Sequence, residues 1–422
     1  MQQLPRWAAK LVERHPGAEM PSRENPIPDW LADESARTPM WYVIREASET
    51  RDRHPFLLHK EIHRQPQQWR EILDGWWPVV DRLADELAAL GIERIITTGC
   101  GSAYFTAMHG SFTLARLSGL ETADVESFEL THYFPPVDPK TTLVIGHSGT
   151  GGSIETVQAM AAARERGCHT LAITNTEDTA VGRASERVLT YVTSQECGPC
   201  TSVVSTRVLL QTMLGVALGR RRGVEGVPFD ALRAALDDVP RAGQAFLDDS
   251  EDAIAALADE QRQATAWLLV GSGPNYFSAR EGTLKIEEQA ILTGKAYRTG
   301  DFHHDALSQL APERPVVAIE AAGAANERLV DAVRAAREGR SPTVAVTWSG
   351  GDGAAELTRH ADHSVALSPP LPELISPIPM TIVFQLLGYY LGVVRGYNPD
   401  TLRTDNPPNT RAWLTSFPLG TH

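Results

Sequence analysis

Apolar residues recur mostly three and four apart between His54 and Gly91: Leu57, Leu58, Ile62, Trp69, Ile72 and Leu73, then Val79, Leu83, Leu87 and Leu90. That spacing lines one face of a helix. Pro66 and Pro78 predict breaks in it, because an interior proline removes a backbone donor and crowds the preceding turn. Before it, residues 1 to about 50 are rich in Pro, Arg, Glu and Trp with no period, and Pro21 to Pro28 reads as an extended arm.

Downstream the pattern changes to short apolar runs alternating with helical spacing. Strands are expected at Arg94–Thr98, Asp124–Phe128, Thr142–Gly146, Thr170–Thr174 and Arg187–Tyr191, with helices at Tyr104–Leu117, Ile154–Arg166 and Val203–Leu218. Alternating strands and helices imply a parallel sheet covered on both faces. After an Arg/Gly-rich junction at Gly219–Gly226, the order of events restarts. Trp267-Leu-Leu-Val270-Gly-Ser-Gly-Pro-Asn-Tyr276 repeats Ile95-Ile-Thr-Thr98-Gly-Cys-Gly-Ser-Ala-Tyr104, glycines and tyrosine in step. An internal duplication follows. Val316–Ile319, Thr343–Thr347 and His363–Leu367 are the later strands expected of the second copy, closed by an apolar helix over Met380–Val394. The chain thus divides into 1–85 (arm and helical extension), 86–222 (first unit), 223–245 (helical connector), 246–396 (second unit) and 397–422 (tail).

Composition narrows the partners. The 422 residues are 42% hydrophobic and 22% charged, ordinary globular values. A net charge of −14 disfavours nucleic acid and anionic membranes, both of which need a basic surface, so an anionic ligand must be held by local dipoles. The segment Met1–Lys10 has no apolar core of signal-peptide length and no later segment approaches 18 uninterrupted apolar residues, so a cytoplasmic protein is expected. Four cysteines do not make a disulfide scaffold. Cys197-Gly-Pro-Cys200 spells a dithiol motif, with Thr190–Glu196 a plausible strand before it; a tight turn before a helix reads equally from the same residues.

Four loops carry candidate chemistry. Gly99-Cys-Gly101 and Gly271-Ser-Gly273 follow strands but lack the third glycine of a dinucleotide fingerprint. His147-Ser148-Gly149-Thr150-Gly151-Gly152-Ser153 lies between a strand and a helix, where hydroxyls and unshielded backbone N–H groups can cradle a phosphate. Ser202-Val-Val-Ser205-Thr206-Arg207 offers a second hydroxyl-rich helix start with a cation one turn in. Further on, Glu281, Lys285 and Glu288 recur at i, i+4 and i+7, so one helix face carries an ammonium between two carboxylates. Such a stripe is also the pattern of solvated surface salt bridges. The histidine pairs His303-His304 and His360/His363 do not match a metal-ligand pattern well, and no metal is expected.

Together the two glycine loops, the Ser-Gly-Thr-Gly-Gly-Ser loop, Val-Val-Ser-Thr-Arg and the Glu281–Glu288 helix resemble the sugar isomerase (SIS) domain family. The resemblance is to the isomerase half of glucosamine-6-phosphate synthase and to related deglycases and deaminating isomerases, and it covers roughly residues 55–416. It implies two tandem three-layer α/β/α domains of flavodoxin-like, parallel-sheet type with an N-terminal helical extension. It also implies that Ser102, Ser148, Ser153 and Ser205, with backbone around His147 and Val204, bind a sugar phosphate. Glu288 then matches the proton-shuttling base, Lys285 its neighbouring cation and His304 the ring-opening acid/base, which in the family reaches the site from a partner subunit. A homodimer with a shared site is therefore expected, without cofactor. Asp405–Ala412 echoes the synthase tail that closes over the site, with Arg411 a possible contact, although the family's lysine position falls on Ala412. Other departures are Ala103 in place of a hydroxyl, a phosphate loop two residues longer, and His304-Asp305-Ala306 in place of His-Gly-Pro. No glutaminase domain or N-terminal catalytic cysteine is read in the sequence, so glutamine is not expected to supply ammonia.

The implied chemistry is proton transfer between C1 and C2 of an open-chain sugar, which needs a carboxylate at the enediol and a donor and acceptor for ring opening. On a phosphorylated amino sugar or ketosamine the same transfer yields an imine that water hydrolyses. Simple aldose–ketose isomerisation uses the same residues, and a non-catalytic sugar-phosphate regulator remains the alternative.

Overall fold

In the computed structural model, residues 15–19, 25, 28–193, 195–351 and 353–416 are described. Most of the expected arm at Pro21–Pro28 and all of Met1–Lys10 lie outside the described residues. The first sheet comprises β1 (Arg94–Thr98), β2 (Glu121–Asp124), β3 (Thr142–Ser148), β4 (His169–Thr174) and β5 (Arg187–Thr190), in the order β2-β1-β3-β4-β5. The second comprises β6 (Ala266–Val270), β7 (Thr293–Tyr297), β8 (Val316–Ile319), β9 (Thr343–Trp348) and β10 (His363–Leu367), in the order β10-β9-β8-β6-β7. Read from its other edge, the second sheet repeats the 2-1-3-4-5 order of the first, and every strand pair is parallel. This is the flavodoxin-like doubly wound arrangement, in which ligands bind beyond the carboxyl ends of the strands.

The duplication extends to backbone detail. Gly101 and Gly273 both take positive φ, +55° and +54°. A Cβ on Gly99 would lie 2.6 Å from the Ala103 carbonyl carbon, and one on Gly271 would lie 2.3 Å from the Asn275 oxygen. In each unit the loop after the first strand therefore turns into its helix too closely for any side chain.

The helices that position the site are α1 (Leu57–Ala89), α2 (Ser102–Ser118), α3 (Ile154–Glu165), α4 (Ser202–Arg222), α5 (Val239–Glu260), α6 (Asn275–Ala290) and α7 (Pro377–Val394). The expected breaks at Pro66 and Pro78 do not occur, and α1 runs through both for 33 residues. At Pro66 the missing N–H would have met the carbonyl of Ile62, and the Gln65 side chain supplies the donor instead, Nε2 to Ile62 O at 3.2 Å. Burial of Leu57, Ile62, Trp69, Ile72 and Leu73 against the domain supplies the rest of the compensation.

Two other expectations shift. The strand expected at Asp124–Phe128 lies at Glu121–Asp124, and Ser127–His132 is a helix because Glu126 caps it, accepting from the N–H groups of Phe128 and Glu129 at 2.8 and 3.2 Å. Among the described residues the strand expected at Thr190–Glu196 does not form, since β5 ends at Thr190.

Packing joins the units. The helix pairs α6 and α7, α1 and α4, and α5 and α7 pack most extensively, and α2 also meets α6 across the two units. By length and composition α4 and α7 could each cross a membrane, but 100% and 83% of their apolar windows are buried inside the protein. They are core helices, one for each sheet.

Candidate functional site

Parallel register brings the strand ends of the first sheet into line. Thr98 pairs with Gly146 and Ser148 with Thr174, so the loops after β1 and β3 lie side by side at the carboxyl edge. A cavity of about 910 Å³ opens there. Its wall includes Ser102, the whole loop Gly149–Ser153, Arg207 and, from the second unit, Leu284 and Glu288.

The loop after β3 is shaped for an anion. Gly151 has φ +69°, and a Cβ there would lie 2.3 Å from Thr179. Gly152 N–H donates to Thr150 Oγ1 at 3.1 Å, and Ser153, at the N-cap of α3, makes no side-chain cap bond. Its hydroxyl instead accepts from Ser148 Oγ at 3.4 Å. Loop backbone, a Ser153 hydroxyl that does not cap its own helix and the positive end of a 12-residue helix therefore face the cavity.

Arg207 reinforces that polarity. It is 1% exposed, yet Nε and Nη1 have no hydrogen-bond partner, and it has no ion-pair partner among the described residues. It borders the cavity, and a Cβ on Gly149 would stand 3.5 Å from its Nη1. A buried guanidinium without an acceptor is costly unless an anion arrives to use it. Beside it His147 is fully buried, and burial followed by the Arg207 charge pushes its imidazole far below the ordinary histidine range, so the ring is neutral.

The second unit contributes the titratable centre. On α6, Lys285 is fully buried, its Nζ 3.1 Å from Glu281 Oε1 and 2.8 Å from Glu288 Oε2. Ser102, from α2 of the first unit, donates to Glu281 Oε1 at 3.1 Å and accepts from Lys285 Nζ at 3.4 Å. Burial pulls the Lys285 ammonium down, but Glu281 and Glu288 outweigh it and raise its pKa, so it stays charged. Burial pushes the Glu288 carboxyl above the ordinary range against the pull of Lys285. Of the two carboxylates only Glu288 borders the cavity, with 22% of its side chain exposed against 1% for Glu281. A raised carboxylate pKa at a cavity wall, fixed by a buried cation, suits a proton-transfer group.

The residues expected at the site separate into two groups. Ser102, Ser153 and Glu288 border the cavity, with Lys285 directly behind Glu288. Ser148, His147, Val204 and Ser205 are buried and lie outside the cavity lining. The Ser205 hydroxyl is turned toward α1, donating to Gln65 Oε1 at 2.6 Å and accepting from Trp69 Nε1 at 3.0 Å. His304 is exposed and outside the lining, while His303 bonds the Arg328 carbonyl at 3.1 Å. Arg411 is likewise outside the lining and pairs with Asp29 at 2.9 Å, but its neighbours Trp413 and Leu414 border the cavity with Leu402.

Arg45 and Glu126 also border the cavity, and the sequence does not single them out. Arg45 and Glu126 lie in segments without motif or period, whereas Glu281 was visible in the helical stripe. In the Cys197-Gly-Pro-Cys200 segment both cysteines are free, and Cys197 is not activated. Burial, then Glu61, pushes the Cys197 thiol far above its ordinary range, the reverse of an activated thiolate.

Comparison with known proteins bears on both units. The SIS domain family model matches residues 91–218 and again 262–395. A glutamine–fructose-6-phosphate aminotransferase (isomerizing) of Gloeobacter violaceus is 28% identical over 355 residues, 82% of this chain. The chain spans 57% of that relative's length. Among solved structures, the C-terminal domain of glucosamine-fructose-6-phosphate aminotransferase from Francisella tularensis superposes with a TM-score of 0.75 at 16% identity, covering 84% of this chain and 100% of that one. Glucosamine-6-phosphate deaminase from Thermotoga maritima gives 0.64 at 19% identity, covering 81% and 96%.

Proposed function

The chain belongs to the SIS domain family, and we propose that it moves a proton between C1 and C2 of a phosphorylated amino sugar or ketosamine and so releases its amine. The observation that carries this reading is Glu288. It has a raised pKa, it is fixed by Lys285, and it faces the same cavity as the unpartnered Arg207 and the Gly149–Ser153 loop. The loop N–H groups, Ser153 and Arg207 hold the phosphate, which places the reducing end of an extended sugar toward the second unit.

With the sugar open, the Glu288 carboxylate removes the proton from the carbon beside the carbonyl or imine. It then returns that proton to the neighbouring carbon. For a 1-amino-2-ketose phosphate this converts the C1 amine into an imine. Water adds, the C–N bond breaks, and an aldose phosphate and the free amine leave. For a 2-amino aldose phosphate the products are a ketose phosphate and ammonia. Lys285 keeps Glu288 oriented while the proton is held. In the homodimer this reading requires, the partner subunit's His304 opens the ring; exposure of His304 outside its own cavity fits delivery between subunits. A volume of about 910 Å³ lies near the upper end of the ~300–1,000 Å³ range of ligand pockets and leaves room for an amine substituent beyond a hexose phosphate.

A screen of hexosamine and ketosamine phosphates for amine, ammonia or ketose release tests the proposal. Release from one class supports it. Aldose–ketose interconversion without C–N cleavage reduces it to a phosphosugar isomerase, and tight binding with no turnover of any member contradicts it.

A further inference from the structure

Away from the cavity, His59 and His63 project from one face of α1, four residues apart, toward Glu251 on α5. His59 Nε2 lies 2.7 Å from Glu251 Oε1 and His63 Nε2 lies 2.8 Å from Oε2. The three ligand atoms are all within 4.8 Å of one another. The imidazoles are nearly stacked, with centroids 4.2 Å apart at 30°, which aims both Nε2 atoms at one point.

Hydrogen bonding alone accounts poorly for this arrangement. His63 Nε2 is buried and, despite its short distance to the carboxylate, is not aligned with it as a hydrogen-bond donor. Its nitrogen is directed into the cluster with a close carboxylate contact but no aligned hydrogen bond. Glu251 is also held by Tyr390, whose hydroxyl donates to Oε1, the oxygen that His59 contacts, at 2.6 Å, the kind of outer contact that fixes a metal-bound carboxylate. Next to it, His54 Nδ1 shares a hydrogen bond of 2.8 Å with Tyr389. Two imidazoles at i and i+4 on a helix with a carboxylate from a second helix form the donor set of a zinc-type site.

We propose that His59, His63 and Glu251 bind a divalent transition-metal ion of the zinc class, with water in the remaining position. Ligand bonds of ~2.0–2.2 Å require the donor atoms to stand about 3.3–3.5 Å apart in a tetrahedron, an opening of roughly half an ångström from the present contacts. None of the three residues borders the cavity. The ion's role is structural: it clips α1 to α5, and through Tyr390 to α7, across the junction between the helical extension and the second unit.

The test uses full-length protein without a polyhistidine tag, stripped with chelator and titrated with Zn²⁺ by calorimetry and elemental analysis. One equivalent per chain is expected, with a higher melting temperature on binding, and Tyr390→Phe should weaken affinity about tenfold through the lost orienting bond. His59→Ala/His63→Ala should abolish that equivalent. Zinc retained equally by the wild type and the double variant would overturn the site. Independently of how the variants fold, the wild type alone supplies a second readout, protection of His59 and His63 from diethyl pyrocarbonate by Zn²⁺, mapped by mass spectrometry. Protection of both supports the site, and modification of both at the metal-free rate overturns it.

Discussion

Lys285 Nζ lies 2.8 Å from Glu288 Oε2, and that contact holds the cavity-facing carboxylate in one orientation on α6. Glu281 completes the arrangement from the turn before, so the fully buried ammonium is balanced by two carboxylates and its charge is secured. Without the cation, two acids would compete for one low-dielectric pocket.

Replacing Lys285 tests this balance. Lys285→Met leaves Glu281 buried opposite no cation and should destabilise the protein by about 3–5 kcal/mol, the range for breaking a buried pair from one side. Urea denaturation measures it, and adding Glu281→Gln to the same chain should restore part of the loss. Full stability in the single variant would show that the pair is not the anchor described.

Arg207 should behave in the opposite way. Its Nε and Nη1 have no hydrogen-bond partner among the described residues, so Arg207→Met should cost little stability while removing a charge-assisted contact to phosphate. Such contacts contribute about 1.5–3 kcal/mol, or roughly 10- to 150-fold in affinity. Calorimetric titration with a hexosamine phosphate reads the change. Unaltered affinity would remove Arg207 from the phosphate site.

Much of this was legible in the sequence. The duplication, the parallel sheets and the four loops follow from strand-length apolar runs and glycine punctuation; β2 starts three residues before its expected position, and all but one of the other nine strands fall close to where the pattern places them. The exception, β7, is an edge strand with Thr293, Lys295 and other half-exposed positions, so its residues carry no apolar signal. The continuous α1 was illegible because its repair at Pro66 depends on a side-chain bond from Gln65. At the site, spacing put Lys285 between two carboxylates but could not say which of them faces solvent. Ser205 could not be assigned either, since α1, remote in sequence, claims its hydroxyl. His59, His63 and Glu251 come from two helices nearly two hundred residues apart, and only folding assembles them.

Glu61 gives a pH-dependent signature of stability. Burial pushes its carboxyl up to about 7, against hydrogen bonds from Glu196 N–H, Cys197 and Thr201. Below the unfolded value of 4.5 both states hold the proton, and between there and about 7 the folded state binds it more tightly. Its contribution is therefore present at low pH and lost as pH rises through that window. Glu61→Gln should flatten this part of the profile, so that denaturation at pH 5 and pH 8 differs less than in the wild type. An unchanged difference would mean that Glu61 does not titrate there.

Cys197 should be inert in the native protein. It is fully buried with a strongly raised pKa, whereas Cys200 borders the cavity. A thiol reagent at neutral pH should therefore label Cys200 well before Cys197, which reacts only on unfolding. Mass spectrometry of the labelled peptides decides it, and equal labelling of the two would revive a dithiol role.

The most direct measurement is hydrogen exchange at the reacting carbon. In D₂O the wild type should incorporate deuterium at C2 of a hexosamine phosphate or C1 of a ketosamine phosphate. Glu288→Gln should slow that exchange by about 10²–10⁴-fold, the usual contribution of a positioned acid or base, while still binding the sugar phosphate. Exchange at the wild-type rate in Glu288→Gln, or none in the wild type with any sugar phosphate it binds, would contradict the account.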